Sequence, residues 1–216
     1  MLVGSGCLLS AQAPAAQLPA TFDLTIRATA FHQWTHTAAP IVTGACTRTE
    51  MSEGIRTTQF RTRTPVRVRL VAGRVLAAQI RGLAGTVTLV GANTTDERCG
   101  NEGTGKISDC VRTRRTFSNA RVSLSSPRRG YADIGVPRNV ALRQSDCPIE
   151  PAAVVRRPLG PELTVLRLPD EVLTQRRVVR ITLRASRERR LEYLPPEDGN
   201  LVARSKWHLT FVRVKA

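Results

Sequence analysis

The sequence predicts an all-β protein: a β-sandwich or an open barrel of about ten short antiparallel strands, stapled by disulfides and with little helix. Two observations predict this class. Apolar and polar residues alternate with a period of two along much of the chain, as in strands with one buried face. Short β-branched segments are separated by Gly, Pro, Asn and Asp, which favour turns. With 216 residues, of which 41% are hydrophobic, the chain suits one domain with a sizeable core, and we place that domain at residues 21–216.

The clearest strand is the first, which we predict from Phe22 to Phe31. Leu24 and Ile26 fall on one of its faces and Arg27 on the other, so one face is expected to be buried. The other candidate strands are Arg61–Leu70, Arg74–Arg81, Gly85–Val90, Val111–Phe117, Ala120–Ser125, Asn139–Arg143, Leu163–Leu168, Arg177–Ala185 and Lys206–Lys215. Pro65 lies inside the second strand and has no amide hydrogen, so it marks an edge, a bulge or a break between two shorter strands.

The first and last strands are the most apolar, and each is associated with a tryptophan. We therefore expect both to be inner strands. The core residues predicted from them are Phe22, Leu24, Ile26, Trp207, Leu209 and Phe211.

Helix is predicted only as a single turn, at Pro169–Gln175, where a proline and acidic residues stand at the front. The proline-rich segment at residues 148–161 is expected to cross between sheets. The alternative is a linker between two small lobes.

Residues 1–20 are expected to be a signal-like or disordered segment. They resemble an export signal, because no charged residue precedes Asp23 and Ala13-Pro14-Ala15 matches a small-x-small cleavage site. The basic segment that usually begins such a signal is missing. Gly4-Ser5-Gly6-Cys7 also resembles a bacterial lipoprotein cleavage site, with Gly4 where Leu or Val is usual. We expect an exported protein, extracellular or at the cell surface, with lipid anchoring at Cys7 as the alternative. No apolar run is long enough to predict a membrane-spanning helix.

Four cysteines lie beyond the signal-like segment: Cys46, Cys99, Cys110 and Cys147. They form no C-x-x-C pair and have no histidine nearby, which argues against a zinc site. Two disulfides in an oxidising compartment are therefore expected, and free thiols in a cytosolic protein are the alternative. Because glycines in the segment between Cys99 and Cys110 allow its ends to meet, we predict the pair Cys99–Cys110 and, by elimination, Cys46–Cys147.

The net charge of +16 is typical of proteins that bind polyanions. However, only three of the 33 basic residues are lysines (Lys106, Lys206 and Lys215) and the rest are arginines. A GC-rich genome produces this preference without selection for binding. The charge is therefore interpreted first as composition bias, and binding of a polyanion by arginines arranged on a surface is the alternative.

One such arrangement is predicted at Arg61, Arg63, Arg67 and Arg69, which share one parity and would line one face of an unbroken strand. Such a row would engage an acidic polymer: nucleic acid, a cell-wall polymer or an acidic polysaccharide. Arg112 with Arg114, and Arg180 with Arg184, would add further rows. Aromatic residues, on which bases stack, are only 4% of the chain, so no specific nucleic-acid signal is present. The alternative is a solvated sheet face.

The remaining motifs do not predict catalysis or a cofactor. The segment from Gly100 to Ile107 resembles a phosphate-binding P-loop, but Ile107 stands where a hydroxyl is needed and no helix is predicted after it. His32 and His36 flank Trp34 on a predicted strand, where they would be about 13 Å apart and unable to share a metal ion. His208 is read as an ordinary strand residue, and no G-x-S-x-G motif is present.

We therefore expect a non-catalytic exported β-domain with a structural or binding role and no cofactor or metal. Its partner is not predicted beyond an acidic polymer at the cell surface. The alternatives are a polyanion-binding module that uses the arginine row, and a secreted hydrolase.

Overall fold

The computed structural model describes residues 20–135, 161–170, 172 and 179–214. It confirms the all-β class. The strands are β1 (Ala20–Thr37), β2 (Ile41–Thr43), β3 (Cys46–Thr62), β4 (Val66–Val71), β5 (Arg74–Val75), β6 (Ala78–Cys99), β7 (Glu102–Ser125), β8 (Tyr131–Gly135), β9 (Val165–Arg167), β10 (Arg180–Glu192) and β11 (Asp198–Arg213). A short helix, α1 (Pro161–Thr164), precedes β9. Within these residues, no helix is long and apolar enough to span a membrane.

The strands form one antiparallel sheet in the order β10-β11-β1-β3-β6-β7-β8-β9, with β2 added to β3. The sheet branches at β1, whose first residues pair with β4 and whose remainder pairs with β3. Pro65 lies between β3 and β4, so the break that it predicted is present. Division into the two sheets of a sandwich, or closure into a barrel, stays a prediction.

Several strands are longer than predicted. For example, β6 has 22 residues and β7 has 24. Glycines that were expected to end strands are paired inside the ladder: Gly85 lies opposite Phe60, and Gly91 lies opposite Gly54. The predicted strand Leu163–Leu168 is instead the end of α1 followed by β9. The predicted strand Asn139–Arg143 lies outside the described residues, as does the proline-rich crossover up to residue 160. The predicted turn Pro169–Gln175 is described only in part.

The sheet has an inner face, which packs on the core, and an outer face. The six predicted core residues are all buried, as Phe22, Leu24, Ile26, Trp207, Leu209 and Phe211 are at most 3% exposed. They belong to one hydrophobic cluster that also contains residues of β4 to β10. Strands that are far apart in the sheet order therefore contribute to the same core. Phe22 and Phe211 meet edge to face, with ring centroids 6.1 Å apart. A second, smaller cluster surrounds Trp34.

The predicted disulfide pairing is wrong: Cys46 is bonded to Cys99, with Sγ atoms 2.02 Å apart. These two cysteines are directly opposite in the ladder between β3 and β6. Cys110 lies opposite Gly91, eight residues back along β6, which places its backbone about 27 Å from that of Cys99. The chain after Cys99 forms a hairpin turn rather than a loop closed by Cys110. Cys147, the predicted partner of Cys46, lies outside the described residues.

Candidate functional site

The predicted arginine row is divided between two strands. Arg61 is near the end of β3, Arg63 lies in the bend beside Pro65, and Arg67 and Arg69 lie on β4. All four side chains are exposed. The row is therefore interrupted at Arg63, and the even spacing expected of one continuous strand is lost.

The register with β1 nevertheless keeps Arg61, Arg67 and Arg69 on the outer face. They lie opposite Arg27, Asp23 and Thr21, respectively, which belong to the polar face of β1. Arg67 Nε donates a hydrogen bond to Asp23 Oδ1 at 3.2 Å, so this arginine is partly neutralised. Arg61 is opposite another cation instead.

The strand register also brings together basic residues that are far apart in sequence. Arg184 lies opposite His208, His208 opposite Arg27, and Arg27 opposite Arg61. We call these four residues, on β10, β11, β1 and β3, the basic rung. Three steps between neighbouring strands make it about 14 Å long. Within the described part of the chain, no member of the basic rung forms an ion pair or a side-chain hydrogen bond.

Hydroxyl and amide side chains flank the basic rung on both sides. One neighbouring rung consists of Thr182, Thr210 and Thr25. The other consists of Ser186, Lys206, Thr29, Gln59 and Thr86. Lys206 adds another cation two residues from His208 on the same strand and face. The surface therefore offers hydrogen-bond donors between and beside its positive charges.

The surface is a shallow open depression of about 710 Å³. It is lined by Arg27, Ala28, Thr29, Gln59, Phe60, Arg61, Ala84, Gly85, Thr86, Phe117, Lys206 and His208. This lining includes several cations and no carboxylate. A second depression of about 580 Å³ adjoins it at His208 and extends the surface to Arg184 and Arg180.

Glu188, an acidic residue on β10 beyond the basic rung, is paired with other arginines. Glu188 accepts hydrogen bonds from Arg190 Nε at 2.9 Å and from Arg204 Nε at 2.8 Å. These bonds, first that from Arg190, hold the pKa of Glu188 below its usual range. Since Glu188 is charged and already has two cationic partners, it competes little for the basic rung.

The sequence pattern predicts the faces of the rung's arginines but not the rung itself. It indicates that Arg27 is on the polar face of the first strand and that Arg184 belongs to a further row, and nothing local places either beside Arg61. Whether a residue number is odd or even shows which face of its strand the side chain is on. Only the order of the strands in the sheet shows which residues on neighbouring strands lie side by side. Of the other predicted rows, Arg114 lies opposite Thr88 on β6, away from the basic rung.

The other candidate motifs fall outside this surface. The P-loop-like segment forms the β6–β7 turn and the start of β7, with no helix. His32 and Trp34 are buried on the inner face. Cys46, Glu97 and Cys99 are the one group in the described residues with metal-ligand atoms close together, but both sulfurs are in the disulfide.

Comparison of the chain with protein-family models, with curated proteins and with solved structures finds no match.

Proposed function

We propose that this chain is an exported β-domain whose outer face binds an anionic polymer across β10, β11, β1 and β3. The basic rung carries this proposal. Its four members are on consecutive strands of the sheet, its arginines have no acidic partner among the described residues, and it is bordered by hydroxyl and amide groups.

Electrostatics favours a ligand with several charges over a single anion. An exposed ion pair contributes little by itself, because water and salt screen it. A polymer that neutralises several arginines at once also releases the counterions that it had condensed. The combined effect gives useful affinity without a deep pocket, which agrees with the shallow shape of the depression.

The surroundings of the basic rung favour an acidic polysaccharide or cell-wall polymer over single-stranded nucleic acid. Binding of single strands relies on exposed aromatic rings on which bases stack. The two aromatic residues that line the depression are Phe60, which is buried, and Phe117, which is half-buried and packs against the core clusters. Threonine, serine and glutamine side chains are instead suited to the hydroxyl groups of a sugar chain.

Retention on immobilised heparin, a sulfated polysaccharide, tests this proposal. The test variant replaces Arg27, Arg61 and Arg184 with glutamine. The matched control replaces Arg74, Arg81 and Arg129, which are also exposed, and has the same net charge. We expect the test variant to elute at clearly lower salt than the control. Equal elution of the two variants would refute a specific surface, because retention would then depend on net charge alone.

A further inference from the structure

The inner face carries a polar rung near the end of β1, on the opposite side of the sheet from the basic rung. His36 lies opposite Ser52, Ser52 opposite Asn93, and Asn93 opposite Ser108. On the other side, His36 lies opposite Gly199 at the start of β11. This register brings a histidine, a serine and the β10–β11 turn together.

The carboxylate of Glu197 forms a hydrogen bond with the imidazole of His36. His36 Nε2 is 3.3 Å from Glu197 Oε2. A carboxylate only accepts hydrogen bonds, so the neutral ring must carry its proton on Nε2, which leaves the lone pair on Nδ1. The side chain of His36 is 17% exposed. The imidazole is therefore oriented, solvent-accessible and able to accept a proton at Nδ1.

Ser52 lies directly opposite His36, and its hydroxyl is the group that would donate a proton to Nδ1. Directly opposite residues of an antiparallel pair have Cβ atoms about 4.5–5.5 Å apart. Ser52 is 9% exposed, and its hydroxyl has no hydrogen-bond partner among the described residues. Catalytic serine–histidine hydrogen bonds are often long in the absence of substrate and tighten when it binds.

Tyr193 places a phenol beside the imidazole of His36. Its ring packs on that of His36, with centroids 4.5 Å apart. Its hydroxyl is buried and has no partner in the described part of the chain. Burial and the charge of Glu197 raise the pKa of Tyr193, so the phenol keeps its proton and remains a donor.

An open trough of about 480 Å³ is lined by neighbours of Ser52, although not by Ser52 itself. Its lining residues include Met51, which precedes Ser52, and Asn93, which lies opposite it. Most of the others carry hydroxyl or charged groups, namely Arg48, Glu50, Thr94, Thr95, Glu97, Thr104, Lys106 and Ser108. A substrate that fits this trough is hydrophilic.

We propose that Ser52, His36 and Tyr193, with Glu197 as the positioning residue, form an acyl-transfer centre that hydrolyses short acyl esters of hydrophilic molecules. Nδ1 of His36 takes the proton of Ser52 while Oγ attacks the ester carbonyl, and the Tyr193 hydroxyl donates to the resulting oxyanion. The carbon–oxygen bond of the ester then breaks, and the alcohol leaves with the proton from His36. Water attacks the acyl-serine in the same way, which releases the acid and restores the serine proton.

Labelling with a fluorophosphonate probe tests this centre. Attack by an activated serine forms a serine–phosphorus bond and releases fluoride, so mass spectrometry identifies the reacting residue. We expect the label on Ser52, and its loss by at least tenfold in His36→Gln but not in the control Thr35→Ala, since Thr35 is exposed on the same strand. Hydrolysis of 4-nitrophenyl acetate should fall in parallel in Ser52→Ala, whereas the control Ser118→Ala, at an exposed serine of β7, should retain the parent rate. 4-Nitrophenyl octanoate should be a poorer substrate.

Chemical rescue separates catalysis from folding. Added imidazole should restore labelling in His36→Ala, because free imidazole can take the proton but cannot repair a damaged fold. Glu197→Gln should lower kcat and leave KM nearly unchanged, and Glu102→Gln should change neither. The proposal is overturned if Ser52 is not labelled, if another serine is labelled instead, or if His36→Gln labels as fast as the parent. The basic rung is on the other face, so its function does not depend on this result.

Discussion

Arg61 lies directly opposite Arg27 on the outer face, and within the described residues neither has an acidic partner. Like charges that are directly opposite in an antiparallel pair destabilise the sheet. A protein keeps such a pair at a cost to its stability, as is common at functional sites. The pair is therefore the point at which stability and ligand binding are expected to conflict.

The first prediction concerns this conflict. Arg61→Thr should stabilise the ligand-free protein by about 0.2–1 kcal/mol at low salt and weaken heparin binding. The gain should shrink as salt is raised, since salt screens exposed charges. Urea unfolding at two salt concentrations measures it. Arg69→Thr is the control, because Arg69 lies opposite Thr21 and should show no such gain. A loss of stability in Arg61→Thr would contradict the prediction.

The second prediction concerns Glu188, which neutralises Arg190 and Arg204 beside the basic rung. Glu188→Gln should tighten heparin binding, because both arginines become available to the ligand. Acidification should have the same effect. The pKa of Glu188 is lowered, so its charge persists below the usual range for glutamate and is lost only as pH falls through the lowered value. Titration calorimetry of the parent and Glu188→Gln, with Glu102→Gln as the control, checks this. Unchanged affinity in Glu188→Gln would count against an extended basic surface.

The third prediction concerns the disulfide. Peptide mapping without reduction should recover Cys46 joined to Cys99. Replacing both with serine should lower the free energy of unfolding by about 4 kcal/mol in the chain-entropy model, since the bond closes a segment with a sequence separation of 53. Recovery of a Cys99–Cys110 peptide would show that the register of β3 and β6 is wrong.

The fourth prediction concerns the core shared by β1 and β11. Leu24→Ala and Leu209→Ala should each cost about 2–5 kcal/mol, because both side chains are 1% exposed. Val212→Ala is the control, as Val212 is 37% exposed. Denaturant unfolding gives these values. A loss under about 0.5 kcal/mol at either leucine would place that residue outside the core.

The sequence predicts the apolar strands well and the polar ones poorly. The face and burial of β1 follow from its alternation, which continues as far as Trp34. By contrast, β3 was missed before residue 61, because its inward positions are Ser52, Gly54, Arg56 and Thr58. These positions are buried although they are polar or glycine, so no apolar period appears in the sequence.

The candidate sites depend on register, which the sequence does not specify. His208, Arg27 and Arg61 form one rung only because β11, β1 and β3 are neighbours in the sheet. The same holds for the pairing of Cys46 with Cys99. Local spacing indicates a loop closed by Cys99 and Cys110, whereas long-range strand pairing determines which cysteines meet.

The salt dependence of heparin binding tests the central claim, that the basic rung binds a polyanion, most directly. A bound polyanion releases roughly one counterion for each cation that it contacts, so the slope of log K against log salt reports the number of contacts. Replacing Arg27, Arg61 and Arg184 with glutamine should reduce this slope by about three, while replacing Arg74, Arg81 and Arg129 should leave it nearly unchanged. Equal slopes in the two variants would contradict the claim.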